Sequence, residues 1–340
     1  MRDIGMAAEL REAPDAVRRQ KSASQPIAEL VDRCRRRPPQ LVVTCARGSS
    51  AHAATFGKHL IERHLGIPVA AAAPNIATVY GERLRLKDQL VLSISQSGHS
   101  YDLAEFTAMA KASGALTVAI VNDVDSPLAG ACDIVLPMAA GPELSVAATK
   151  SFVAALAMLL RVTAAWSNDD ALGAAIKRLP DRLQAATDLD WSSALETLAN
   201  ATNLTTIGRG PTLAIAREAA LKLKETCNLQ AEPFSSAEFQ HGPMALVSPL
   251  YPILVFMPND AAAASVKTLA ADLRGKGAAI LSAEYGEASP GRLPILAPDH
   301  ADTDAVCLIQ SFYALAIRVA AQRGTDVDRP RHLQKVTRTR

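Results

Sequence analysis

Short runs of β-branched and aliphatic residues recur from Leu41 onward, each followed by a Gly- or Ser-bearing loop and then an Ala-rich stretch with helical spacing. The runs at residues 41–45, 90–94, 116–121 and 133–136 are almost continuously apolar. Continuous apolarity, as opposed to alternation, predicts strands of a parallel sheet covered by helices on both faces. The same texture restarts with runs at 204–207, 253–257, 278–281 and 293–296. Strand alternating with helix in both halves predicts an α/β chain built from two parallel sheets, each sandwiched between helices in a Rossmann-like αβα arrangement.

Ahead of the first run, Leu10, Val17, Ile27, Leu30 and Val31 fall at helical spacing and the pattern stops at Pro38-Pro39, which predicts one or two leading helices. A helical stretch from Ser151 to about Trp166 ends in Ser167-Asn168-Asp169-Asp170, and a more polar segment then runs to about Trp191. These breaks divide the chain into leading helices (1–37), a first α/β domain (38–170), a linking helical region (171–195), a second α/β domain (196–325) and a tail (326–340). The two openings match, since Val43-Thr44-Cys45-Ala46-Arg47-Gly48-Ser49 and Thr205-Thr206-Ile207-Gly208-Arg209-Gly210-Pro211 both read strand, Arg-Gly, helix. That match suggests a duplicated unit.

A length of 340 residues agrees with about two domains of roughly 150 residues each. With 49% hydrophobic and 21% charged residues the chain can build a sizeable core, which excludes a disordered or fibrous class. A net charge of +2 supplies no field for a polyanion or an acidic bilayer, so neither nucleic acid nor membrane is an expected partner. The basic clusters at 33–37 and 329–340 read as a solvated face and a chain end. The five cysteines are scattered, without a Cys-x-x-Cys pair or zinc spacing, which fits a reducing cytoplasm and no metal. Met1-Arg2-Asp3-Ile4-Gly5 lacks the apolar core of a secretory signal, and the apolar run at 152–160 is about half the ~20 residues that a bilayer requires. A soluble intracellular protein is the expectation.

Candidate chemistry concentrates in a few places. Ser93-Ile94-Ser95-Gln96-Ser97-Gly98-His99-Ser100 is a hydroxyl-rich loop between a buried strand and a helix beginning near Tyr101. A helix N-terminus offers unpaired N–H groups and a positive dipole end, to which Ser95, Ser97 and Ser100 add hydroxyl donors. This predicts a phosphate cradle without Lys or Arg, and an ordinary Ser-rich helix cap is the competing reading. Arg47-Gly48-Ser49-Ser50 repeats the logic one strand earlier and lacks the Lys of a P-loop. Along the helical segment 216–225, Glu218, Lys222 and Glu225 share one side stripe, with Leu213, Ala216, Ala220 and Leu223 opposite. Periodicity alone predicts an exposed, salt-bridged face, although a carboxylate beside an ammonium can also shuttle protons. His241 stands in a Gly-Pro turn from which an imidazole can project as acid or base. The histidines at 52, 59, 64, 300 and 332 suggest no role.

Taken in order, Gly48-Ser49-Ser50, Ser95-Gln96-Ser97-Gly98, Gly141-Pro142-Glu143-Leu144-Ser145-Val146-Ala147-Ala148-Thr149-Lys150, Ala220-Leu221-Lys222-Leu223-Lys224-Glu225, Glu238-Phe239-Gln240-His241-Gly242-Pro243 and Gly324-Thr325-Asp326-Val327-Asp328-Arg329-Pro330-Arg331 resemble the tandem sugar isomerase (SIS) family. More specifically, they look like the isomerase half of glucosamine-6-phosphate synthase and its deaminase relatives, over nearly the whole chain. It implies two tandem SIS domains. It also implies that Ser49, Ser50, Ser95, Gln96, Ser97 and Ser100 hold a sugar phosphate and that Val146, Ala147 and Ala148 line the sugar. Glu225 would move a proton between C1 and C2 with Lys222 nearby, and His241 would assist ring opening, donated across a homodimer in such enzymes. Lys335, on a tail reaching the active site, falls where the family places a Schiff-base lysine.

The synthase matches only in its second half, so no glutaminase domain is expected to supply ammonia. Its phosphate loop continues Ser-Gly-Glu-Thr, whereas Gly98-His99-Ser100-Tyr101-Asp102 has the form of the deaminase branch. The resemblance therefore implies a cofactor-free isomerising deaminase that converts glucosamine 6-phosphate and water to fructose 6-phosphate and ammonia. The alternatives are another phosphosugar isomerase, a fructosamine-phosphate deglycase, or a non-catalytic sugar-phosphate sensor.

Overall fold

The computed structural model describes residues 5–335. The reading of Met1 to Ile4 as lacking a signal, and the basic tail after Lys335, lie outside the described residues. In chain order the elements are α1 (Met6–Arg19), α2 (Ser24–Arg36), β1 (Val42–Ala46), α3 (Gly48–Leu65), β2 (Val69–Ala71), α4 (Asn75–Thr78), β3 (Leu90–Ser95), α5 (Tyr101–Ala112), β4 (Leu116–Val121), α6 (Pro127–Ala131), β5 (Ile134–Pro137), α7 (Lys150–Ser167) and α8 (Asp170–Thr187). There follow α9 (Leu195–Asn200), β6 (Asn203–Gly208), α10 (Pro211–Cys227), β7 (Gln230–Ser235), β8 (Pro252–Phe256), α11 (Ala263–Gly275), β9 (Ala279–Ala283), β10 (Arg292–Leu293) and α12 (Ala301–Gln322).

Two compact units result. The first contains residues 15–143 and 150–177 with Gln334 and Lys335; the second contains residues 178–333 together with 5–14 and the loop 144–149. In the first, a five-stranded parallel sheet runs β2-β1-β3-β4-β5. Every residue of β3 is buried, as the continuous apolar run requires of a strand covered on both faces. Leu103 and Phe106 of α5 pack with Val91 of β3 and Val121 of β4, which fixes the N-terminus of α5 beside the end of β3.

The second unit repeats this architecture, with its five parallel strands ordered β10-β9-β8-β6-β7. Numbered within each unit, both sheets read 2-1-3-4-5, so the short match between the two openings reflects a repeated topology. The second strand of each sheet, β2 and β7, is absent from the sequence-derived strands. Both are edge strands, where exposure removes the need for an apolar run; Ala70 and Ala71 are exposed, and β7 carries Pro233. The run at 293–296 contributes only Leu293 to a strand, because Pro294 cannot donate to a ladder.

Two helices, α7 and α12, are long and apolar enough by length and composition to cross a membrane. This corrects the estimate from residues 152–160, which ignored the helical continuation to either side. In each, 78% of the apolar window is buried inside the protein, so the apolarity belongs to the core. Gly57 of α3, for example, leaves room for Leu159 of α7, whose side chain would lie 2.9 Å from an added Cβ.

Candidate active site

In the first unit, the order 2-1-3-4-5 makes β1 and β3 neighbours whose following helices leave in opposite directions, the crevice where ligands bind in open parallel sheets. The two hydroxyl-rich loops follow these two strands. Ser95 is buried and its Oγ accepts the Gly98 N–H at 3.0 Å; the Ser97 Oγ accepts the His99 N–H at 3.3 Å. Each hydroxyl thus shapes the loop as an acceptor and keeps its own hydrogen to donate. Ser100 is the N-cap of α5 without a side-chain cap bond, and Ser49 and Ser50 open α3.

An arginine also stands between these two loops. Arg47, at the N-cap of α3, reaches Asp102 in the first turn of α5 with Nε at 3.0 Å and Nη2 at 2.9 Å. Asp102 is buried while half of the Arg47 side chain is exposed, so a carboxylate ties the two loops together and holds a guanidinium beside them. Gly98 adopts φ +67°, and a Cβ there would lie 2.0 Å from the Ser126 Oγ. Strain of about 1–2 kcal/mol plus that clash should lower the Tm of Gly98→Ala by several degrees in a thermal melt. An unchanged Tm would mean that the Ser126 side chain moves aside without cost.

The same unit contains Lys335, whose Nζ lies 3.1 Å from Glu143 Oε2. Glu143 is buried, and its carboxylate also accepts the Ser151 backbone N–H at 3.0 Å and the Ser151 hydroxyl at 2.6 Å. Glu143 belongs to the Gly141-Pro142-Glu143 stretch and went unmarked because carboxylates are common in loops. Its burial, invisible to local pattern, is what distinguishes it.

In the second unit, α10 begins with Pro211 after the Gly210 N-cap and ends at Asn228 in the left-handed conformation. The expected exposed stripe on this helix is overturned. Glu218 and Lys222 are fully buried, because α10 packs against the sheet on one side and α12 on another, leaving Arg217 and Lys224 to solvent. Lys222 Nζ sits 3.3 Å from Glu218 Oε1 and donates a short hydrogen bond to Glu225 Oε2. Tyr313 of α12 donates to Glu218 Oε1 at 3.3 Å. Burial pushes the Lys222 ammonium down, but the two carboxylates outweigh it and hold its pKa above the ordinary lysine value. Glu225, 21% exposed, borders a cavity of about 370 Å³ shared with Thr226, Arg323, Asp326, Arg329 and Arg331.

The loop 144–149 is anchored from below. Glu9 of α1 accepts the backbone N–H groups of Leu144 and Ser145, the latter at 3.2 Å, and Asp328 accepts the Ser145 hydroxyl at 3.1 Å and the Met6 N–H at 2.6 Å. Ala147 is buried within it, with Val146 and Ala148 partly buried. Sequence reading missed Glu9 and Asp328, since neither sits beside the loop in the chain. His241 is exposed after a short 3₁₀ turn and is not part of the Glu225 cavity; Leu246 and Leu250, further along the same segment, are also exposed. Among the described residues no three His, Cys, Asp or Glu side chains gather as metal ligands. The five thiols are unpaired, and burial pushes those of Cys34, Cys45, Cys132 and Cys307 up to about 12.

The SIS domain model matches residues 39–165 and 197–283. The isomerizing glutamine–fructose-6-phosphate aminotransferase of Symbiobacterium thermophilum is 33% identical over 313 residues, covering 86% of this chain and 51% of that protein. The chain spans about half the length of the curated relatives it matches. A Silicibacter pomeroyi DSS-3 protein provisionally described as a phosphosugar isomerase is 43% identical, with a TM-score of 0.90 over 95% of this chain and 99% of that one. The C-terminal domain of the Francisella tularensis glucosamine-fructose-6-phosphate aminotransferase is 26% identical, with a TM-score of 0.83 over 96% and 98% of the two chains.

Proposed function

We propose, from the premise that this chain belongs to the SIS domain family, that it is a phosphosugar aldose–ketose isomerase that releases ammonia from glucosamine 6-phosphate. The observation that carries this reading is the arrangement on α10. A carboxylate facing a cavity, backed by a fully buried ammonium and a second buried carboxylate, suits proton transfer at carbon and contradicts an ordinary surface salt bridge.

In this reading Ser49, Ser50, Ser95, Gln96, Ser97 and Ser100 take the phosphate ester, and Val146, Ala147 and Ala148 line the sugar. His241 assists ring opening. Glu225 removes the C2 proton of the open aminoaldose and returns it to C1 while a proton passes from the amine nitrogen to O1, so the C1 aldehyde becomes an alcohol and C2 becomes an imine. Water adds to that imine and ammonia leaves, giving fructose 6-phosphate. Lys222 fixes Glu225, and Lys335, held by Glu143, is an amine available to a ketose carbonyl. The exposure of His241, in a segment that also exposes Leu246 and Leu250, supports its donation to a second copy in a homodimer. A reducing cytoplasmic setting belongs to the same reading.

The test is release of ammonia and fructose 6-phosphate by the purified protein given glucosamine 6-phosphate without glutamine, with fructosamine 6-phosphate and N-acetylglucosamine 6-phosphate in parallel. Stoichiometric release from the first substrate is expected. Turnover of fructosamine 6-phosphate alone would replace the deaminase with a deglycase, and binding without turnover of any would make the protein a sensor.

A further inference from the structure

A cavity of about 530 Å³ opens among α2, α7 and α8 of the first unit, and none of the residues assigned to the proposed reaction lines it. Ile27, Val31 and Ile176 give it apolar walls, and Arg161 of α7 reaches it from the core side. The guanidinium is half-buried. Its Nε donates to Gln20 Oε1 at 3.3 Å and its Nη2 to the Val17 carbonyl at 3.0 Å, both neutral acceptors. Arg161 has no carboxylate partner among the described residues, and burial is the sole cause that lowers its pKa. Buried cations are ordinarily paired, because an isolated one forfeits hydration without return.

The arginine is also held in place. Gln20 is fully buried and its Nε2 donates to the carbonyls of Met138 at 3.0 Å and Ala154 at 2.7 Å, which fixes the oxygen that orients Arg161. Three carboxylates, those of Asp32, Asp169 and Asp170, also line the cavity, and the first two have partners of their own. Asp32 pairs with Arg36, Asp169 accepts the Leu172 N–H at 2.9 Å and lies 3.8 Å from His64 Nδ1, and Asp170 is exposed at the first turn of α8. Arg35, which bonds the Ala165 carbonyl and the Asn168 side-chain oxygen, and the exposed Lys177 add positive charge at the rim.

We infer that this cavity binds a small amphipathic carboxylate, with its head on Arg161 and its hydrocarbon body against Ile27, Val31 and Ile176. A planar guanidinium fork matches a carboxylate, and a cavity of this size with aliphatic walls beside charged groups matches a small amphipathic ligand.

Saturation-transfer NMR on the full chain, with octanoate, octanol and octylammonium as separate probes, tests it. Octanoate should show saturable binding while octanol and octylammonium at equal concentration show none. Arg161→Gln should weaken octanoate binding about tenfold or more, the loss expected for a charge-assisted pair. Ala28→Trp, at an exposed rim position that disturbs no interior contact, should block binding by filling the cavity while leaving sugar-phosphate turnover unchanged. No octanoate signal, equal signals from octanol, or unchanged octanoate affinity in Ala28→Trp or in folded Arg161→Gln would each overturn the inference. None of these outcomes depends on the proposed reaction.

Discussion

Replacing Glu225 with Gln should reduce kcat for ammonia release by ~10²–10⁴-fold, the range ascribed to a positioned general base, while sugar-phosphate binding by calorimetry stays at the wild-type level. The substitution keeps the side chain's volume and its ability to accept from Lys222, so Lys222 retains a partner at Oε1 and the helix remains packed. What disappears is the proton affinity needed at carbon. Hydrogen exchange at C2 of the substrate in heavy water offers a second readout and should vanish along with turnover. An unchanged kcat would assign the proton transfer to another group and leave Glu225 as a structural partner of Lys222.

Lys222→Met should instead act mainly on stability. Glu218 is fully buried, and removing the Lys222 ammonium takes away a cation 3.3 Å from its Oε1, leaving a buried negative charge less well compensated. Breaking a buried pair from one side costs roughly 3–5 kcal/mol, which corresponds to a fall in Tm on the order of 10 °C for a chain of this size. Adding Glu218→Gln should recover part of that loss, since the buried negative charge is then removed as well. The pH dependence has a definite sign. Because the folded-state pKa of Lys222 is raised, its contribution is complete below the unfolded lysine value of about 10.4 and is lost as the pH rises through the folded value. The difference in Tm between wild type and Lys222→Met should therefore be constant near neutrality and shrink in strong alkali. Equal melting temperatures at neutral pH would mean that the triad is solvated in solution.

Much of this architecture can be read along the chain, and the failures have physical causes. The central strands declare themselves because a strand buried on both faces must be apolar at every position, as β3 is. The edge strands β2 and β7 have no such obligation and pass unnoticed. The hydroxyl loop at 95–100 is visible because Ser, Gly and a helix start coincide locally. Arg47 and Asp102, which join that loop to its neighbour, are 55 residues apart and meet only once β1 lies beside β3. Helical periodicity led to the wrong environment for Glu218 and Lys222, since a stripe of alternating charge looks the same whether water or another helix covers it. Family resemblance singled out Glu225 and Lys222, and the burial that separates this pair from a surface salt bridge became visible only once the helix was packed.

The recurrence of one strand order in both sheets also bears on stoichiometry. Each unit has a crevice between its first and third strands, but only the crevice after β1 and β3 is furnished with serines and an arginine tied across it. After β6 the chain places Pro211 where α3 has Ser49, and after β8 it places Met257-Pro258-Asn259-Asp260 where the first unit has Gln96-Ser97-Gly98-His99. Prolines in place of Ser49 and Ser97, without N–H or hydroxyl, and an aspartate where His99 stands make that second crevice a poor host for a dianion. Under the proposed function, two copies of one scaffold predict a single equivalent of phosphate ester per chain, with the other copy carrying α10.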